Sequence, residues 1–145
     1  MNRWGSAMVG FAGLSRPQEL VGDMRLEEVY TAAERLRSGY GRTLQHWAGR
    51  LAGKYAVLRL LGVSPTAEHL GQAEVLPRPT ANCAKTAVCH TGHPPAVRLA
   101  GALRAAAGPG QQIRLSLSHT DGKVLAVAVA SARLPEDETA EDENA

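Results

Sequence analysis

The sequence predicts an α+β chain that ends in a β-hairpin, and three stretches carry that prediction. Across residues 42–61, Trp47, Leu51, Tyr55 and Leu58 recur at steps of three and four, with Gly62 placed to cap a helix. In IRLSLSHT (113–120), Ile113, Leu115 and Leu117 alternate with Arg114, Ser116 and Ser118, the period of a half-buried strand. Asp121-Gly122 follows as a type I′ turn signal, and KVLAVAVASA (123–132) returns as a nearly all-apolar strand. So few polar side chains in that last strand imply burial on both faces.

The remaining elements follow in order. AMVGFAGL (7–14) is short, apolar and punctuated by glycine, a first strand. LEEVYTAAERLRSG (26–39) places Leu26, Val29, Tyr30, Ala33 and Leu36 at helical spacing, which predicts one helix stopped by Gly39. Residues 63–95 are rich in Pro, Thr, Gly and His and show no clear period beyond a short strand in AEVLP (73–77). PAVRLAGALRAAAG (95–108) predicts a strand end running into a short Ala-rich helix, closed by the Gly-Pro-Gly at 108–110. There is no internal repeat.

At 145 residues the chain suits one domain with a real core, and aromatics at 4% leave Ala, Val and Leu to fill it. Six of the 14 acids fall in the last ten residues, EDETAEDENA (136–145). Residues 1–135 then hold the 16 basic side chains against eight acids, or +8, a body that attracts anions. The boundaries expected are one domain over 1–135 and a disordered acidic tail over 136–145. No apolar run reaches the length of a membrane span, and the opening MNRWGSAMVGFAGLSRP is too broken by Gly and Ser for a signal peptide. Two cysteines, Cys83 and Cys89, then imply reduced thiols and a cytoplasmic protein. Nucleic acid is not an expected partner, because aromatics are too few for a stacking platform.

Several polar clusters could carry chemistry. Arg50 and Lys54 stand one helical turn apart, so both could reach one anion, with Arg59 nearby. The plain alternative is a solvated cationic helix face. Ser116, Ser118, His119 and Thr120 could cradle a phosphate or amide at the hairpin mouth, or simply be the polar side of a strand. Cys83, Cys89, His90 and His93 lie within eleven residues, but their spacing fits no familiar zinc site, and a loop carrying polar residues is the simpler reading.

Taken in order, these motifs resemble the holo-acyl-carrier-protein synthases, the small branch of the 4′-phosphopantetheinyl transferase superfamily. RLAGKYAVLR (50–59) is similar to the family helix R-[FW]-A-A-K-E-A-x-x-K, and SLSHTDGKVLAVAVA (116–130) to its closing S-[IL]-[ST]-H-[ST] hairpin. VYTAAERL (29–36) resembles F-T-x-x-E, TGHPPAVRLAG (91–101) resembles G-[KR]-P-x-[VI]-x-L, and AMVGFAGL resembles V-G-[IV]-D-[LI]. The resemblance spans residues 7–132. It implies a small antiparallel sheet with a long central helix, three copies in a ring, and transfer of phosphopantetheine from coenzyme A to a serine of apo acyl carrier protein. It also implies a magnesium ion held by the Asp of V-G-x-D and the Glu of K-E-A.

Two departures change that expectation. The family's Asp falls on Ala12 and its Glu on Tyr55, so neither supplies the hard, charged oxygen that magnesium requires. Glu34 is left as the one matching acid. The sequence therefore predicts a repurposed, metal-independent enzyme acting on a coenzyme A- or carrier-protein-bound intermediate, in polyketide or other secondary metabolism. His119, Tyr55 and Lys54 are the expected catalytic residues. The expected contacts to a coenzyme A or phosphopantetheine arm are Arg50, Lys54, Arg59, Ser116, Ser118, His119 and Thr120. No metal and no required cofactor are expected; the partners are acyl carrier protein, an acyl thioester and two further copies of the chain. Tyr55 has an equal second reading, as an extension of the helix's apolar seam. An active transferase and a non-catalytic carrier-protein binder are the competing functions.

Overall fold

The structure, a computed structural model, describes residues 1–39, 43–77 and 94–132. The cysteine and histidine cluster at 83–93 and the tail predicted at 136–145 lie outside these residues. Among the described residues, strands β1 (Trp4–Gly10), β2 (Ala73–Pro77), β3 (Pro95–Leu99), β4 (Gln111–His119) and β5 (Lys123–Ala132) form one antiparallel sheet. Their order is β1-β5-β4-β3-β2. Helices α1 (Gln18–Val21), α2 (Leu26–Val29), α3 (Ala32–Gly39), α4 (Leu44–Leu61), α5 (Ala67–Gly71) and α6 (Gly101–Ala107) complete the fold.

Helix α4 lies across one face of the sheet and ends where predicted, on Gly62 in the left-handed conformation (φ 72°). It is no surface helix with one apolar stripe. Ala48, Leu51, Ala52, Ala56, Val57 and Leu58 are all buried, and so are Arg50 and Lys54. The alternative of a solvated cationic face therefore fails for Arg50 and Lys54, because other elements cover the helix on sides that the sequence pattern leaves polar, and holds only for the exposed Arg59. Helix and sheet approach closely through glycine. A Cβ on Gly5 would run into the Ala56 carbonyl oxygen, and one on Gly53 would lie 2.7 Å from Leu115 Cδ2.

The single helix predicted over 26–39 is two, broken at Tyr30 and Thr31. Tyr30 takes an extended backbone (φ −111°, ψ 136°) and buries its ring completely. Its hydroxyl donates to the Trp47 carbonyl at 2.9 Å, and its ring meets Trp47 edge-on. Thr31 and Glu34 then start the next helix as a reciprocal capping box. The Thr31 amide donates to Glu34 Oε1 at 2.8 Å, and the Glu34 amide donates to Thr31 Oγ1 at 3.2 Å.

The first strand begins at Trp4, three residues before the predicted start, since Trp4 and Gly5 already pair with Val129 and Ala128. The closing hairpin turns at Asp121-Gly122, but neither residue has positive φ, so the turn is not type I′. Glycine serves another purpose there. The Gly122 carbonyl accepts from the Phe11 and Ala12 amides, and a Cβ on Gly122 would lie 2.9 Å from Ala12 Cβ.

Burial of β5 on both faces is not found within one chain. Val124, Ala126 and Ala128 face α4 and are buried, whereas Leu125 is 41% and Val129 38% exposed. On β1, Met8 is the register partner of Leu125 and Trp4 of Val129, and these two are 60% and 61% exposed. One face of the sheet is thus an open apolar surface.

Candidate functional site

Strand alternation and helix period decide which of the expected residues meet. His119 follows Leu117 by two positions on β4, so it points to the α4 side of the sheet. There it lines a cavity of about 250 Å3 together with Arg50, Gly49 and His46 from α4. Val75, Leu76 and Pro77 from β2, with Leu117 and Val124 from β4 and β5, give the cavity apolar walls. Arg50 is only 7% exposed, and its guanidinium donates to Ser38 Oγ at 2.8 Å. A cation held this way is oriented in advance for an anionic or carbonyl oxygen.

The other expected contacts lie elsewhere. Ser116 and Ser118 sit one residue out of phase with His119, exposed on the open face of the sheet, where Ser118 pairs with Leu125. Three neighbouring polar letters on a strand cannot form one cradle when successive side chains point to opposite faces. Thr120 belongs to the turn: its amide donates to the Lys123 carbonyl, and its hydroxyl accepts from the Gly122 amide at 3.4 Å. Arg59 is exposed at the far end of α4, nine residues from Arg50, and donates to the Ser6 carbonyl of β1 at 2.6 Å.

Lys54 is the largest correction. Its side chain has no exposed surface, and its ammonium donates to Glu34 Oε1 (2.6 Å), the Leu70 carbonyl (2.9 Å) and the Ala73 carbonyl (2.8 Å). Three acceptors satisfy all three N–H groups, so no donor is left for a phosphate or an enolate. Burial pushes the ammonium below the usual lysine range, opposed by the adjacent Glu34 carboxylate. Lys54 ties α3 and α5 to the central helix and does not reach the cavity. Glu34 is equally committed: it is fully buried, and its second oxygen accepts from the Val75 amide at 2.9 Å. Tyr55 is half-buried against the core, outside the cavity, as the apolar-seam reading expects.

Sequence reasoning missed His46 and Gly49. His46 stands one turn before Arg50, a spacing that could have marked it, and its Nδ1 lies 3.1 Å from Thr43 Oγ1. Gly49 gave no signal, because a lone glycine in a helix pattern reads only as a weak helix former.

No family model matches the sequence, and no curated protein is significantly similar to it. Solved structures do match. A Chronobacterium ammoniagenes acyl carrier protein synthase in complex with coenzyme A superposes with a TM-score of 0.65 at 20% identity, over 90% of this chain and 97% of that one. The fold is that of the holo-acyl-carrier-protein synthases. The Helicobacter pylori holo-acyl-carrier-protein synthase, also in complex with coenzyme A, gives 0.62 at 22% identity over 88% and 99%. The Mycobacterium tuberculosis acyl carrier protein synthase gives 0.60 at 23% over 90% and 96%.

The magnesium implied by the resemblance does not fit the residues present. Ala12 and Tyr55, the expected ligand positions, are not neighbours. Ala12 lies past the end of β1 in a cleft with Thr43, Leu44 and Asp121, while Tyr55 is eleven residues further along α4, a rise of roughly 16 Å. The side chains of β1 that point toward α4 are instead those of Ala7 and Val9, with Gly5 in line. The mismatch does not depend on register, since residues 4–14 contain no acid. Among the described residues, no group of three His, Cys, Asp or Glu is placed to hold a metal ion.

Proposed function

We propose that this chain is a metal-independent enzyme of the holo-acyl-carrier-protein synthase fold, acting on an intermediate tethered through pantetheine to coenzyme A or to acyl carrier protein. The observation that carries this reading is the meeting of His119 and Arg50 at one apolar cavity, in a fold whose first strand here lacks any carboxylate. Phosphoryl transfer without a metal would leave the pyrophosphate charge to side chains alone. The two coenzyme A complexes of this fold support a pantetheine-bearing ligand.

In this reading His119 removes a proton from the carbon beside the thioester carbonyl and later returns it, the role an imidazole performs near neutral pH. The Arg50 guanidinium sits beside the oxygen on which negative charge develops. Lys54 holds the helix in place and takes no part in the proton transfer. Polyketide or other secondary-metabolite biosynthesis is the setting proposed for such substrates. A homotrimer is proposed as well, supported by the open face carrying Trp4, Met8, Leu125 and Val129.

Intact-mass analysis tests the reading. With apo carrier protein, coenzyme A and magnesium, the carrier should gain no phosphopantetheine mass. With a deuterium-labelled acyl group on holo carrier protein, the label should exchange with solvent, and His119→Ala should abolish the exchange. A gain of phosphopantetheine would overturn the reading in favour of an active transferase. Undiminished exchange in His119→Ala would remove His119 as the base.

A further inference from the structure

We propose that the cavity floored by Gly49 is an acyl pocket, taking a short apolar chain headed by a carbonyl or carboxylate oxygen. The proposal rests on the pantetheine-tethered reading for its source of ligand and on independent geometry for its shape.

Gly49 carries the argument. It is buried at the sixth position of an eighteen-residue helix, inside the hydrogen-bonded turns where glycine is the poorest ordinary helix former. Neither backbone nor packing requires it. Its φ is not among the positive values, and a Cβ there would meet Leu117 Cδ1 at 3.9 Å and Val124 Cγ1 at 4.0 Å, ordinary contact distances. Gly53, one turn on, differs: its Cβ would lie 2.7 Å from Leu115. Glycine at 53 serves the helix–sheet contact, whereas glycine at 49 keeps space open between α4 and the sheet.

The lining selects the occupant. Leu76, Pro77, Pro95, Leu117 and Val124 offer no hydrogen bonds from their side chains, while Gln45, His46, Arg50 and His119 are the polar residues of the lining. Such a surface suits a ligand that is apolar along its length and polar at its head. A volume of about 250 Å3 has room for roughly eight non-hydrogen atoms at ~30 Å3 each.

Calorimetric titration of the full chain with pantetheine, hexanoyl-pantetheine, dodecanoyl-pantetheine and sodium hexanoate tests the assignment. Hexanoyl-pantetheine should bind at least tenfold tighter than pantetheine, and the dodecanoyl form should lose that gain. Gly49→Leu, checked for folding by circular dichroism, should lose the gain from the hexanoyl group, read as the ratio of hexanoyl-pantetheine to pantetheine affinity. Should Gly49→Leu fail to fold, Gly49→Ala carries the test by shifting the preferred chain shorter. Binding of hexanoate but not pantetheine, lost in the Gly49 variant, supports the pocket with a free carboxylate as its source and overturns the tethered reading. Pantetheine binding with no gain from acylation overturns the pocket and spares that reading. No binding by any probe overturns both.

Discussion

Lys54 Nζ lies 2.6 Å from Glu34 Oε1 with neither side chain exposed, and this pair joins the central helix to the capping box that starts α3. Residues that the motif places at a reaction centre thus form the protein's main buried polar network. Lys54→Met should destabilise the fold by about 3–5 kcal/mol, because it strands a buried carboxylate. Adding Glu34→Gln should recover part of that loss. Urea denaturation of the two variants checks the order, and a Lys54→Met protein of native stability would return Lys54 to the list of candidate catalytic groups.

Tyr30 makes the fold sensitive to alkali. Burial, with the Glu34 charge adding to it, pushes its hydroxyl far above the usual tyrosine value of 10.0. In the window above pH 10 the unfolded chain releases this proton and the folded chain keeps it. Tyr30 therefore contributes stability that is complete below pH 10 and declines as pH rises above it. Thermal melts of Tyr30→Phe should show a shallower alkaline decline, with a cost of about 1 kcal/mol at neutral pH for the lost bond to the Trp47 carbonyl. Absorbance titration should find one of the three tyrosines silent until the protein unfolds.

Glycines of α4 should respond to alanine in opposite directions. Gly49→Ala meets only ordinary contacts and gains helix propensity, so stability should rise by up to about 1 kcal/mol. Gly53→Ala forces Leu115 aside, and overpacking of this kind costs about 1–3 kcal/mol. Paired denaturation curves decide the sign of each.

Magnesium should not stabilise this protein. Anything that binds the folded state raises its melting temperature, and no carboxylate stands on β1 or at position 55. Melting temperatures with millimolar magnesium and with EDTA should coincide. A magnesium-dependent rise would show a cation site among other residues.

The open face of the sheet predicts association. Leu125→Glu places a charge at the centre of the apolar surface formed with Met8 and should shift the chain to a monomer in sedimentation velocity. A wild-type chain that sediments as a monomer would refute the homotrimer.

The amino-acid sequence alone determined the fold class, the helix ending at Gly62, the short strand at 73–77 and the two strands of the closing hairpin, all of which depend on local periodicity and helix capping, whereas the type I′ turn it predicted between those strands is not formed. It also determined that no acid stands near the first strand, a fact that needs no coordinates. Tertiary structure decided the rest. Lys54 and Glu34 are twenty residues apart in sequence, and nothing in the helical period of either segment shows that they are buried together. The polar run at 116–120 reads as one cluster in the sequence, yet the pleat sends Ser116 and Ser118 to one face and His119 to the other. Tyr30 interrupts a regular helix pattern where its ring is buried against Trp47, its hydroxyl donates to the Trp47 carbonyl, and the Thr31–Glu34 capping box starts a new helix, contacts that the helical period does not report. Periodicity reports which side chains share a face; only packing reports what that face meets.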